Sequence, residues 1–134
     1  MSASPRVLVI GGLGFIGVNL TERLVAAGRT VTVVTPSRAK HADRAAAFEA
    51  RGVRIVEGDL RDAVAMTKAV AGQAIVFNLA GESGAVRSME DPWTDLDVNC
   101  RGNLVLLEAL RTVNRDAKLV FVGSRLEYGS PPWP

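Results

Sequence analysis

The chain has 134 residues, 48% of them hydrophobic and 22% charged, and its 16 basic and 14 acidic residues leave a formal net charge of +2. That balance fits one soluble α/β domain able to bury a core without staples. The basic residues are scattered and no aromatic stripe accompanies them, which argues against nucleic-acid binding; the longest charge-free stretch is too short, and too interrupted by glycine, to span a membrane.

From the N-terminus, Ser2 to Pro5 reads as a loose lead-in and Val7 to Ile10 as a strand buried on both faces, β-branched at three of four positions. Arg6 before an apolar run imitates a signal peptide, but the glycines that follow favour a strand and turn. Gly11, Gly14 and Gly17 recur every third residue, and Gly12, Gly14 and Gly17 also satisfy G-x-G-x-x-G. From Phe15 the pattern turns helical through Ile16, Leu20, Leu24 and Val25, with Gly28 ending the helix. A strand, a glycine turn and a helix form the first unit of a dinucleotide-binding fold. A side chain there would block the turn, the approach of the pyrophosphate or the packing of helix on strand. The helix N-terminus then faces the anion.

Thr30 to Thr35 is a second strand stopped by Pro36, and Ser37-Arg38-Ala39-Lys40 opens a loop. A helix from about Asp43 to Arg51 ends at Gly52, and Val53 to Glu57 is a third strand. Asp62 caps a helix from Ala63 to about Val70, and Ala74 to Leu79 is a fourth strand. Asp91-Pro92 starts the longest predicted helix, which runs to about Asn114 with proline in its first turn. One apolar stripe on it comprises Trp93, Leu96, Cys100, Leu104 and Leu107; Val98, Val105, Ala109 and Val113 form another. A helix apolar on two sides must bury both, one on the sheet and one elsewhere. Lys118 to Val122 is a fifth strand. The alternation predicts a doubly wound parallel sheet of Rossmann type in the order 3-2-1-4-5, with a ligand above the strand ends where the order reverses.

At the end of the second strand, NAD-binding folds place an acid for the ribose 2′-hydroxyl. Thr35 stands there, followed by Ser37 and Arg38. The absence of a carboxylate, and an arginine able to pair with a 2′-phosphate, lean towards NADP over NAD; a solvated Arg38 is the competing reading. Asp59 can accept from an adenine amino group while Leu60 packs on the ring, or Asp59 can cap its own turn. Asn78-Leu79-Ala80-Gly81 ends the fourth strand with small residues, as a backbone lying against a ribose requires. Ser83, Arg87 and Ser88 lie in the following loop. His41 reads as solvated and Cys100 as a buried thiol. One cysteine permits no internal disulfide and suits a reducing cytoplasm. No cluster of His, Cys or acids has metal-ligand spacing.

The order of these pieces resembles the extended short-chain dehydrogenase/reductases, in particular the NAD(P)-dependent sugar-nucleotide epimerases and dehydratases. Gly11 to Gly17 looks like that family's glycine signature and Gly58-Asp59-Leu60-Arg61-Asp62 like its adenine-site turn. Asn78 to Gly81 stands where the family usually has a histidine-led motif. Glu90 to Ala109, with Asn99 and Gly102, is similar to its long fourth helix, and Gly123-Ser124-Arg125-Leu126-Glu127-Tyr128-Gly129 resembles its Ser-Ser-x-x-x-Tyr-Gly segment. The resemblance implies cofactor contacts from Gly11, Gly14, Phe15, Ile16, Gly17, Thr35, Ser37, Arg38, Asp59, Leu60, Leu79, Ala80, Gly81 and Asn99. It gives Asn99 the task of steadying the active-site backbone and Ser124 that of bonding the substrate hydroxyl. Ser83, Arg87 and Ser88 would lie towards a nucleotide-sugar substrate.

The family's catalytic Tyr-x-x-x-Lys is absent from residues 1 to 134: Tyr128 is the one tyrosine, and Pro132 stands four residues later. Two readings follow. The chain is the NAD(P)-binding half of an epimerase or dehydratase whose parent chemistry moves a hydride from a sugar carbon to NAD(P)+ and returns it, ending before the catalytic helix and substrate segment and inactive alone. Alternatively it is a non-catalytic module that senses redox state or docks a partner. Residues 1–134 form one incomplete domain in the first reading, and the unpaired apolar stripe predicts a homodimer or higher assembly.

Overall fold

In the computed structural model, which describes residues 4–124 and 128–130, β1 (Arg6–Ile10) occupies the centre of the sheet. It pairs in parallel with β2 (Thr30–Thr35) on one side and β4 (Ile75–Asn78) on the other; β3 (Arg54–Glu57) and β5 (Lys118–Phe121) flank them, giving β3-β2-β1-β4-β5. Successive β1 side chains point to opposite faces, and both faces are apolar. Leu8 and Ile10 pack with Val34, Met66, Leu106 and Leu110 on one side. Val7 and Val9 pack with Leu13, Val33, Ala45 and Phe48 on the other. A central parallel strand buried on both faces needs that continuous apolar run.

The helices supply the outer layers: α1 (Phe15–Ala26), α2 (Ala42–Glu49) and α3 (Ala63–Val70) follow the first three strands, with a 3-10 turn at Ala39–His41. The Asp62 carboxylate caps α3, accepting from the N–H of Val64 at 2.9 Å and of Ala65 at 3.1 Å. After β4 the structure departs from the sequence expectation twice. Ala85–Glu90 forms a short helix, α4, where a loop was expected; good helix formers follow Gly84, whose φ of +114° turns the chain. The single long helix is also divided into α5 (Pro92–Leu96), a π-helical turn (Asp97–Gly102) and α6 (Asn103–Val113). The Asn103 side chain donates to the Asn99 carbonyl at 2.6 Å, competing with the backbone ladder. Hydrophobic periodicity is blind to such a side-chain bond.

α6 buries Leu106, Ala109 and Leu110 on the sheet. The first stripe faces outward instead: Trp93 is 78% exposed, and Leu96, Leu104 and Leu107 are each about half exposed. Cys100, expected to be buried, is exposed with them.

Candidate functional site

The chain order reverses between β1 and β4, and a cleft of about 350 Å³ opens there above the C-terminal strand ends. That size lies within the range of about 300–1,000 Å³ common to small-molecule sites. Its wall comes from four strand exits: the glycine turn after β1, Thr35 to Ser37 with Lys40 and His41 after β2, Gly58 to Arg61 after β3, and Leu79 to Glu82 after β4.

The three glycines of the turn do different work. Gly11 has φ +80°, and a Cβ on it would stand 3.0 Å from the Ala80 nitrogen, so it lets the β1 and β4 exits meet. A Cβ on Gly17 would collide with the Gly11 carbonyl oxygen and lie 2.6 Å from Gly12 Cα; this is the close seat of α1 on the turn. A Cβ on Gly14 would find one neighbour within 4 Å, the Gly11 oxygen at 3.3 Å, and Gly14 lines the cleft. Its bare side is therefore open to a ligand. α1 starts at the next residue, and its first turn has N–H groups with no intrahelical acceptor. The exposed side chains of Phe15 and Ile16 do not line the cleft, so what these residues can offer a ligand there is backbone N–H.

At the β2 exit Thr35 is buried and bonded within its own turn, its hydroxyl 3.3 Å from the Ser37 carbonyl. The Arg38 guanidinium is turned to Glu49, at 2.6 Å from Nη2 to Oε2 and 3.2 Å from Nε to Oε1, and it does not line the cleft. Hydrogen bonding from Arg38 holds the Glu49 carboxyl below the usual range. The Arg38 N–H donates to Glu57 Oε1 at 3.0 Å. Lys40 and His41 reach the cleft wall where Arg38 does not.

Beyond β3, Arg61 forks onto Asp59, at 2.9 Å from Nε to Oδ1 and 2.6 Å from Nη2 to Oδ2, and also reaches Asp97 at 3.1 Å. These hydrogen bonds hold the Asp59 carboxyl below its ordinary value and raise Arg61. Asp97 is lowered too, first by Arg101 and then by Arg61. Asp59 lines the cleft, so an incoming amino group would share its oxygens with Arg61. Leu60 is buried in the core, although one edge of it reaches the cleft.

At the β4 exit a ladder of amides fixes the wall. Buried Asn78 donates to Asn103 Oδ1 at 2.6 Å, Asn103 donates to the Asn99 carbonyl, and Asn99 clamps Glu82. Asn99 Oδ1 accepts from the Glu82 N–H and Asn99 Nδ2 donates to the Glu82 carbonyl, both at 3.0 Å. A Cβ on Gly81 would lie 2.9 Å from Asn99 Oδ1. Asn99 thus acts on the cleft through the backbone beside it. Ser83, Arg87 and Ser88 come together in a separate hollow of about 20 Å³, where Ser88 donates to Asp95 at 3.2 Å and Arg87 pairs with Glu82 at 3.4 Å. Ser124 is exposed past the end of β5; Arg125, Leu126 and Glu127, in the segment read as Ser-x-x-x-Tyr, lie outside the described residues. Among the described residues there is no metal-ligating cluster and no helix long and apolar enough to cross a membrane.

The cleft therefore brings together Gly11, Gly14, Thr35, Ser37, Asp59, Leu60, Leu79, Ala80 and Gly81 from four separate stretches. Sequence reasoning missed Lys40, His41, Arg61 and Asn103. The three-residue step from Ser37 to Lys40, one 3-10 turn, was the one available signal for Lys40, and the two-residue step from Asp59 to Arg61 was one for Arg61; the Arg61–Asp97 and Asn78–Asn103 bonds span elements distant in sequence. The residues fit an elongated ligand with an anionic middle: a bare glycine at a helix N-terminus, an acceptor at one end, and small residues with a fixed backbone at the other.

A family model described as "NAD dependent epimerase/dehydratase family" matches residues 7–133. UDP-glucose 4-epimerase of Mycolicibacterium smegmatis is 33% identical over 133 residues, covering 95% of this chain and 41% of that protein. The dTDP-glucose 4,6-dehydratase of the same organism is 33% identical over 111 residues, covering 81% of this chain and 34% of its own length. The crystal structure of UDP-glucose 4-epimerase from Bifidobacterium longum in complex with NAD+ and UDP superposes with a TM-score of 0.82 at 28% identity, over 96% of this chain and 39% of that one. The chain thus spans about two-fifths of the length of the relatives it matches.

Proposed function

The chain belongs to the NAD dependent epimerase/dehydratase family, and from that premise we propose that residues 1–134 are the dinucleotide-binding part of a sugar-nucleotide epimerase or dehydratase. The observation that carries this reading is Gly14. Of the three spaced glycines, it alone combines a place on the cleft wall with a single neighbour where a Cβ would stand, the Gly11 oxygen at 3.3 Å, and it adjoins the α1 N-terminus. The diphosphate of NAD(P) is held there by backbone N–H groups. Asp59 accepts from the adenine amino group alongside Arg61. Ala80 and Gly81, after the Leu79 backbone, admit the ribose on the nicotinamide side, and Asn99 fixes the Glu82 backbone beside it. The bound nicotinamide supplies the hydride-accepting chemistry.

In the whole protein, Ser124 would hydrogen-bond the hydroxyl of a nucleotide-sugar substrate, with Ser83, Arg87 and Ser88 nearer its sugar. A serine orients such a hydroxyl but is too weak an acid to remove its proton unaided, and these 134 residues contain no Tyr-x-x-x-Lys. This chain by itself therefore binds cofactor and turns nothing over. NADP is the preferred form, a reducing cytoplasm suits the exposed Cys100, and the outward stripe from Trp93 to Leu107 pairs two copies. Equilibrium dialysis of the purified chain against NAD and NADP tests the core of the proposal: saturable binding of either supports it, and retention of neither rejects it. Adding nucleotide sugars to the loaded chain should leave nicotinamide absorbance flat. A rate that survives repurification and disappears in Ser124→Ala would reject the inactive-alone reading.

A further inference from the structure

Basic side chains around the cleft fall into two groups. Arg38 and Arg61 are each neutralised by a carboxylate, at 2.6 Å in both cases. Lys40 and His41 are not: among the described residues neither side chain has a hydrogen bond or ion pair, yet both line the cleft beside Ser37. One helical step on, Arg44 donates from Nη1 to the Leu13 carbonyl of the glycine turn at 3.1 Å, with no carboxylate partner among the described residues. The β2 side of the cleft therefore carries uncompensated positive charge. Of the acids near it, Glu49 is taken by the Arg38 guanidinium, Glu57 by the Arg38 N–H and Asp59 by Arg61 across the cleft; Asp43, in the first turn of α2, is exposed and does not line the cleft.

We propose that Lys40 and His41, and not Arg38, read the 2′-phosphate of NADP. The inference rests on the dinucleotide reading of the cleft and adds the residues that set cofactor choice. In a doubly wound sheet the exit of β2 is where the adenosine ribose presents its 2′ position, while the diphosphate lies at the glycine turn. An ammonium with three donors and an imidazole, both unpaired, suit a terminal phosphate with three acceptor oxygens. A ribose with a bare 2′-hydroxyl would find no carboxylate acceptor from Thr35 to His41. Arg38 would have to give up two hydrogen bonds to Glu49 to take part.

The experiment measures dissociation constants of NADP and NAD for the native chain, Lys40→Gln, His41→Asn, the double variant and Arg38→Gln, with thermal melts to confirm folding. The native chain should bind NADP more tightly. The double variant should lose about tenfold or more of its NADP affinity, the scale of a lost charge-assisted contact, with NAD changed less than twofold. Arg38→Gln should move the ratio less than twofold. A preference that collapses in Arg38→Gln overturns the proposal, as does native NAD binding equal to or tighter than NADP. An equal loss for both cofactors in the double variant also overturns it, because the two side chains would then serve the diphosphate. If the native chain binds neither cofactor, the dinucleotide reading itself fails, an outcome separate from all of these.

Discussion

Gly14 and Gly17 lie three residues apart in one turn, yet replacing each should damage a different property. In Gly17→Ala the new methyl meets backbone on both sides, colliding with the Gly11 oxygen and lying 2.6 Å from Gly12 Cα. Backbone cannot rotate away as a side chain can, so overpacking of about 1–3 kcal/mol or more applies. The gain in helix propensity, about 1 kcal/mol for Gly to Ala, is smaller. At about 2–8 °C per kcal/mol for domains near this size, the melting midpoint should fall by several degrees. In Gly14→Ala the methyl meets one atom at 3.3 Å, and the stiffer unfolded chain returns about 0.4–1 kcal/mol, so stability should hold. Binding should not. Side-chain bulk at Gly14, greater still in Gly14→Val, would separate the diphosphate from the N–H groups at the start of α1. Losing two hydrogen bonds to a charged group, at about 1.5–3 kcal/mol each, weakens binding about 10²–10⁴-fold. Thermal melts and calorimetric titrations of the three variants separate the effects. The reasoning is refuted if Gly14→Val binds dinucleotide with native affinity, or if Gly17→Ala melts as the native chain does.

On α6, Leu106→Ala removes a fully buried side chain and should cost about 2–5 kcal/mol, read by urea denaturation. The outward stripe of Trp93, Leu96, Leu104 and Leu107 should bury itself in a dimer or larger assembly; light scattering should give at least a dimer for the native chain and a monomer for Leu104→Glu with Leu107→Glu, and a clean native monomer at high concentration would count against it. Asp59 and Asp97 are both lowered from an ordinary value of 3.8 by their arginines. A lowered carboxyl contributes stability that is complete above the unfolded value and lost as pH falls through the folded one. The melting midpoint should therefore be indifferent to these two groups above about pH 5 and decline below pH 4, less steeply in Asp97→Asn; parallel acid profiles would contradict the assignment.

The sheet order was legible because each strand carries an apolar β-branched run bounded by glycine or proline, and alternation with helices leaves few topologies. The cleft was legible in outline for the same reason: strand exits in a doubly wound sheet converge whatever residues they carry. What escaped was anything decided by a side chain choosing among partners. Arg38 and Lys40 are equally basic on paper, and only the fold puts Glu49 within reach of the first and leaves the second on the cleft wall. The break in the long helix is of the same kind, since Asn103 reads as one polar residue on a helix until it meets Asn99 and Asn78. Cys100 was misread as buried because apolar periodicity marks a face to be covered without naming the cover.

A titration of the isotopically labelled chain with NADP, followed by amide chemical shifts, tests the central claim in one measurement. The dinucleotide reading predicts saturable shifts at Gly11 to Gly17, Ser37 to His41, Asp59 to Arg61 and Leu79 to Glu82, four stretches separate in sequence that all line the cleft. An unchanged spectrum at millimolar NADP, or shifts confined to the outward stripe of Trp93, Leu104 and Leu107, would contradict it.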